Sequence, residues 1–377
     1  MNNSNDLKDL AKLFLKLGII GFGGPVAHIA MMQKEVVVEK KWLTDQEFLD
    51  LIGATNIIPG PNSTEMAIHI GRERAGWKGL IVAGLCFILP AVIITGTFAW
   101  LYKKYGQLPE IYPFIYGIKP AIIAIILGAV FPLAKKSVKT FRLAAVGVIV
   151  LICSFFKINE IGLMFGAGLL LLIIDYLQKN NVKRLNNLIF IGPLQFLLSD
   201  VYSLLNLKLF WIFLKVGAIL YGSGYVLFAF LNTELVSKGI ITRQELIDAI
   251  AVGQFTPGPV FSSVTFIGYQ INGISGALVS TLAIFLPSFI LVALTGPFVN
   301  KMRNSSTFSS FLNGVNVASI ALIISVCITM GIDSITDWKT TLIACVSIAI
   351  LFVFKKLNSA FVVIGGALLG YLLYFLT

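Results

Sequence analysis

The sequence predicts an all-α fold: a polytopic transmembrane helix bundle of two inverted-topology repeats whose helices are broken or re-entrant. Three observations carry this expectation. The chain holds long runs almost free of charge, it matches itself at a nearly constant offset, and it breaks two apolar segments with proline-bracketed glycines at equivalent places.

The runs come first. Of 377 residues, 57% are hydrophobic and only 12% charged, against roughly 45–50% and 25% in soluble domains. The excess is gathered in 81–100, 121–134, 144–156, 161–177, 278–299, 317–330, 341–354 and 360–376. A bilayer crossing takes about 20 apolar residues as a helix. The runs lack the alternation of a membrane β-barrel. Residues 1–9 are polar, with no cleavage site after a short apolar core, so a cleavable signal is not expected. Cys86, Cys153, Cys327 and Cys345 lie far apart in apolar runs and read as small buried hydrophobes. The net charge of +11 sits between the runs, where Lys and Arg set topology and touch lipid headgroups. The expected surroundings are therefore a lipid bilayer, multi-pass in the cell membrane, with no nucleic-acid partner; a homodimer is left open.

The duplication comes second. Lys16-Leu17-Gly18 returns as Lys215-Val216-Gly217, and Glu35 as Glu234. Thr44, Glu47 and Asp50 return as Thr242, Glu245 and Asp248. Gly71, Gly76 and Gly79 return as Gly268, Gly273 and Gly276, and Leu89-Pro90 as Leu286-Pro287. The offset stays at 197–199 throughout. This divides the chain into a first repeat (1–187), a linker (188–206) that could supply an extra crossing, and a second repeat (207–377). Charge gives the orientation. Lys135, Lys136, Lys139 and Arg142 fill one loop, whereas its counterpart at 331–339 holds Asp333, Asp337 and Lys339. Cytoplasmic loops collect Lys and Arg, so equivalent loops fall on opposite faces and the repeats are inverted, with 135–142 inside.

The breaks come third. Matching Gly/Pro-interrupted segments in two repeats point to a substrate site near the midplane. Gly21-Phe22-Gly23-Gly24-Pro25 matches Tyr221-Gly222-Ser223-Gly224; tight packing through small residues is the alternative there. Asn56-Ile57-Ile58-Pro59-Gly60-Pro61-Asn62-Ser63-Thr64-Glu65 matches Gln254-Phe255-Thr256-Pro257-Gly258-Pro259-Val260-Phe261-Ser262-Ser263. Two prolines around a glycine end one helix and suit the start of another. Each new helix offers unpaired amides, a positive dipole end and side-chain donors, which together form an anion site. A surface turn between two amphipathic segments is the alternative. The candidate substrate-binding residues are therefore Gly23, Gly24, Asn56, Gly60, Asn62, Ser63, Thr64, Gly222, Ser223, Gln254, Thr256, Gly258, Ser262 and Ser263.

Charges near the spans are candidates for charge handling and coupling. Glu65 could carry a coupling proton or pair with Arg72. Lys119, whose counterpart is Asn316, could pair with an anion or with Glu65, or reach an interface by its stem. Arg72 and Arg74 could draw anions or fix topology. Lys16 and Lys215 read as snorkelling side chains, and His28 and His69 as packed, hydrogen-bonded rings rather than proton relays. No hydrolase, metalloprotease or nucleotide-binding signature occurs. The chain is thus not expected to be an enzyme or to hold a metal or cofactor, and any active transport would run on a gradient.

These motifs resemble the chromate ion transporter family in its two-domain form. The resemblance rests on Phe22-Gly23-Gly24-Pro25 followed by Ala27-His28-Ile29, Trp42-Leu43-Thr44, Pro59 through Glu65, Gly71, Ala75-Gly76-Trp77-Lys78-Gly79 and Leu89-Pro90. The second half adds Thr256-Pro257-Gly258-Pro259 and Phe285-Leu286-Pro287. It implies export of chromate, or a similar tetrahedral oxyanion such as sulfate, from the cytoplasm. A passive anion channel and a non-transporting membrane scaffold or sensor are the competing functions. Gly224 stands where the first half has Pro25, and Val260 where it has Asn62, so the halves need not touch substrate equally.

Overall fold

The computed structural model describes residues 4–22, 24–106, 108, 110–156, 158–178, 205–221, 224–295, 306–354 and 357–375. Its secondary structure is helical throughout the described residues. The linker expected at 188–206 lies outside them except for its last two residues, which open a helix.

Each repeat begins with two short excursions into the membrane and then a full crossing. In the first repeat, α1 (Ser4–Ile20) runs beside the later helix 77–105. Arg74 holds Asp6 at 2.7 Å. A Cβ on Gly18 would lie 2.7 Å from the Phe87 carbonyl oxygen. So α1 starts level with residue 77 and stops about halfway along. α2 (Gly24–Gln33) and a wide π-turn (Lys34–Glu39) lead back out. α3 (Asp45–Thr55) then enters, opened by a capping box between Thr44 and Glu47. α4 (Asn62–Tyr105) is two helices, 62–74 and 77–105, joined at Ala75-Gly76. Gly76 has φ 59°, which only glycine adopts cheaply. A Cβ on Gly71 would sit 2.3 Å from the Gly79 oxygen, so the two helices double back in backbone contact. Trp42, just before α3, lies under the Arg74 guanidinium at 5.1 Å. Both ends of the hairpin made by α3 and 62–74 therefore share one face, and its tip at 56–61 points inward. The helix 62–74 is about 20 Å long and 77–105 about 43 Å, so only the latter crosses the hydrocarbon, about 30 Å thick.

α5 (Tyr112–Ser137) returns, followed by the shorter α6 (Phe141–Phe155) and α7 (Glu160–Gln178). The second repeat copies the plan: α8 (Leu205–Ile219), α9 (Val226–Leu231), a π-turn (Asn232–Val236), α10 (Arg243–Phe255), a 3₁₀ turn (Val260–Ser262), and α11 (Ser263–Thr295). α11 folds back at Asn272-Gly273 with torsions within a few degrees of those at Ala75-Gly76. Then come α12 (Ser306–Ser334), α13 (Trp338–Val353) and α14 (Ser359–Tyr374). Among the described residues, Asn62–Tyr105, Tyr112–Lys135, Val260–Leu294 and Thr307–Ser334 are long and apolar enough to cross a membrane. Ile81, Leu85, Leu89 and Ile93 form an exposed stripe on α4, as do Ile274, Leu278, Leu282, Ile290 and Leu294 on α11. Stripes of that size suit lipid rather than water.

Two pairs of contacts establish the inverted orientation. Arg72 donates to the Val292 and Ala293 carbonyls (2.5 and 2.9 Å), and Gln270 to the Ala99 carbonyl (2.8 Å). Residues just before each crossing helix therefore meet the far end of the other, so 77–105 and its counterpart run antiparallel. Tyr116, near the start of α5, hydrogen-bonds Asp337, while Lys139 follows the other end of α5. The loops at 135–142 and 331–339 thus lie on opposite faces, as their charges predict. They define a Lys139 face and an Asp337 face.

The repeats also interleave. α5 packs on α14 and α7 on α12, each pairing one repeat with the other. α4 meets α11, and α5 meets α12, along the pseudo-twofold axis.

Candidate functional site

The four helix breaks converge at the centre. Ala91 and Ser288 are equivalent positions near the midpoints of the two crossing helices. A Cβ on Gly258 would lie 2.8 Å from the Ala91 Cβ, and one on Gly60 2.6 Å from the Ser288 Oγ. Gly60 has φ 139° and Gly258 φ 89°, a region that favours glycine. The Gly60 N–H donates to the Leu220 carbonyl (2.8 Å) and the Gly258 N–H to the Gly21 carbonyl (2.7 Å). Each proline-bracketed turn is thus bonded to the Gly-rich break of the other repeat. A backbone polar group left unpaired in hydrocarbon costs several kcal/mol. These reciprocal bonds are how irregular backbone is held at mid-depth.

Around the first turn lies a cavity of about 200 Å³. Its wall includes Thr55, Asn56, Ile58 and Asn62 from the hairpin tip, Ser137 and Lys139 from the end of α5, and Asn313, Asn316 and Ser319 from α12. The lining runs from the Lys139 face to mid-depth. Asn62 donates to Asn56 across the turn (3.1 Å), and Asn56 to the Ile52 carbonyl (2.9 Å). The amides of Thr64 and Glu65 close onto the Pro61 carbonyl, which leaves those of Asn62 and Ser63 as the helix's first-turn donors. Amide and hydroxyl side chains, one ammonium and a helix N-terminus make a set that favours an anion.

Of the residues expected at a site, Asn56 and Asn62 line this cavity. Ser63 and Thr64 are buried beside it, off its wall. Gly24 begins α2 with φ 75°, and a Cβ there would meet open space. Gly23, Gly222 and Ser223 lie outside the described residues. The second-repeat set is packed. Thr256 bonds back to the Val252 carbonyl (2.5 Å), Ser262 accepts from Thr95 (3.2 Å), and Gln254 accepts from Tyr225 (3.4 Å). Ser263 is fully buried. Asn313 and Ser319 went unnoticed in the sequence, and Asn316 was noticed only as the counterpart of Lys119. Asparagine within an apolar run was the available signal.

The charges settle differently from several sequence expectations. Lys16 and Lys215 do not simply snorkel; they pair with Glu35 (2.5 Å) and Glu234, and Lys238 joins the second pair at 2.6 Å. Arg72 is spent on the Val292 and Ala293 carbonyls and stacks over Trp77 (5.7 Å), not on Glu65. Lys119 lies over the Tyr112 ring at 5.9 Å. His28 is buried, bonded to the Gly21 carbonyl (2.9 Å) and edge-on to Phe87. On the Asp337 side, Tyr102 and Gln244 hold the buried Asp248 at 2.6 and 3.0 Å.

The sequence profile of the family described as Chromate transporter matches this chain twice, over residues 8–172 and 207–371. The chain belongs to the chromate transporter family. Among its relatives, a probable chromate transport protein of Synechococcus elongatus is 32% identical, with 97% of this chain and 95% of the relative aligned. The chromate transport protein of Cupriavidus metallidurans is also 32% identical, over 98% of this chain and 93% of its own. YwrA of Bacillus subtilis, an uncharacterized transporter, is 25% identical and aligns 90% of its length with 41% of this chain. No solved structure matches the chain significantly. Membership fits the membrane-length helices: this chromate transporter family member is a multi-pass protein of the cell membrane.

Proposed function

We propose that this protein carries chromate, or a tetrahedral oxyanion of like charge such as sulfate, out of the cytoplasm by alternating access. The observation that carries the reading is the donor-rich cavity reaching from the Lys139 face to the turn at Gly60. A cavity of about 200 Å³ holds several water volumes of roughly 30 Å³ each, enough for one central atom with four oxygens. The names of the full-length relatives support chromate as that oxyanion. The loop that holds Lys135, Lys139 and Arg142 makes this face the cytoplasmic one, so the cavity loads from inside.

Inversion supports alternation over a fixed pore. The positions equivalent to Asn56, Asn62, Asn313 and Asn316 are Gln254, Val260, Tyr116 and Lys119. On that side Gln254 and Val260 are buried, and Tyr102 is bonded to Asp248. Exchanging the conformations of the two repeats would close the Lys139 side and open the other.

The test uses the purified full chain in proteoliposomes, with chromate, sulfate and molybdate as probes. Accumulation against an oxyanion gradient, lost on collapsing the ion gradients, is the expected result. Flux that only ever runs downhill would turn the reading into a channel. Neither binding nor flux would leave a scaffold.

A further inference from the structure

We infer that Glu65 is a proton-binding site whose occupancy is linked to oxyanion binding across the turn at Gly60. The inference rests on the transport reading above and adds to it the ion that moves with the anion.

Glu65 is 0% exposed, at the centre where the repeats meet. Oε1 accepts a long hydrogen bond from the Ser288 Oγ of the other repeat (3.4 Å), and Oε2 is buried with no partner among the described residues. Among the described residues, no cation pairs with it. On its own helix, His69 is buried with Nε2 unpartnered, and Arg72 is engaged by the Val292 and Ala293 carbonyls. From α11 it meets Ser288. From the break after α8, Tyr221 is near enough to interact with it electrostatically. The equivalent residue is Ser263, and the equivalent of Ser288 is Ala91, so only one repeat carries the acid. Packing at this place does not require a carboxyl, since a buried serine occupies the equivalent position. An ionised, unpaired carboxylate at this depth carries a large desolvation cost. A bound proton removes it.

The link to the anion is geometric. A Cβ on Gly60 would lie 2.1 Å from Glu65 Oε1, so the carboxyl rests directly against the turn. Ile58 and Asn62, either side of that glycine, line the cavity. Asn62 and Glu65 are also three apart on one helix, hence neighbours on its surface. A carboxylate on one side of a single backbone turn repels a dianion on the other, in a medium of low dielectric. A neutral carboxyl does not. Proton and oxyanion therefore bind together, and the charge of the loaded carrier falls by one.

The experiment measures oxyanion affinity against pH, over the range in which the probe stays a dianion, using sulfate and chromate on purified wild type, Glu65→Gln, Glu65→Asp and Ser288→Ala. Wild-type affinity should fall about tenfold per pH unit above the midpoint. Glu65→Gln should hold the low-pH affinity at every pH and lose the proton flux that accompanies uptake in proteoliposomes. Glu65→Asp and Ser288→Ala should keep the pH dependence with a moved midpoint, and they serve if the glutamine variant does not fold. Wild-type affinity that is flat with pH, or a pH dependence unchanged in Glu65→Gln, overturns the inference and leaves the transport reading standing. Absence of oxyanion binding in wild type at any pH overturns the transport reading itself.

Discussion

Asn62 offers the sharpest test of the cavity. Its side chain faces the space directly and spans the turn to Asn56 at 3.1 Å. Asn62→Ala removes one amide donor and leaves the proline-bracketed backbone in place. A hydrogen bond to a charged group contributes about 1.5–3 kcal/mol, so oxyanion affinity should weaken roughly 10- to 150-fold at about 1.4 kcal/mol per decade. Asn62→Asp keeps the volume and reverses the electrostatics. At an effective dielectric of about 20 and a separation of about 5 Å, each unit of anion charge is opposed by about 3 kcal/mol. Binding of a dianion should then disappear from a calorimetric titration. Folding should hardly change in either variant, because the Asn62 amide meets cavity rather than core; the melting temperature checks this. An aspartate variant that binds chromate like wild type would refute the placement of the anion beside this turn.

Two further outcomes follow from the geometry. Gly71→Ala and Gly268→Ala each place a Cβ 2.3 Å from a backbone oxygen, and overpacking of this kind costs about 1–3 kcal/mol or more. Both should lower the melting temperature in detergent, whereas Gly162→Ala, where a Cβ meets open space, should not; equal stability in all three would refute the backbone contact. In a cysteine-free background, Asn316→Cys should react with an impermeant maleimide from the Lys139 face and not from the Asp337 face, while Gln254→Cys stays protected. The reverse pattern would mean that the cavity opens on the other side.

The architecture was legible because duplication writes it twice. Pro59-Gly60-Pro61 and Pro257-Gly258-Pro259 cannot continue a helix, and their recurrence in apolar context marks breaks at depth. Loop charge gave the inversion, since Lys135 to Arg142 and Asp333 to Asp337 occupy equivalent loops with opposite bias. Less visible was which face each break presents. Gln254 is the equivalent of Asn56 and reads the same in sequence, yet it is buried and accepts from Tyr225, whereas Asn56 lines the cavity. The walls from α12 were unreadable for another reason: Asn313 and Asn316 meet Asn56 and Asn62 across some 250 residues of chain, and no local pattern encodes that meeting. The Lys16 and Lys215 pairings are written in the sequence, since Glu35 and Glu234 recur at the same offset as the two lysines.

The crossed packing of α5 on α14 has a bearing on biogenesis. Gly117 of α5 lies against Gly366 and Gly370 of α14, a helix made more than two hundred residues after α5 is finished. Until α14 is made, an early span waits in the bilayer with one flank bare. α14 acts as the closing stitch, and a chain stopped just ahead of it would forfeit the integrity of the first repeat as well as the second.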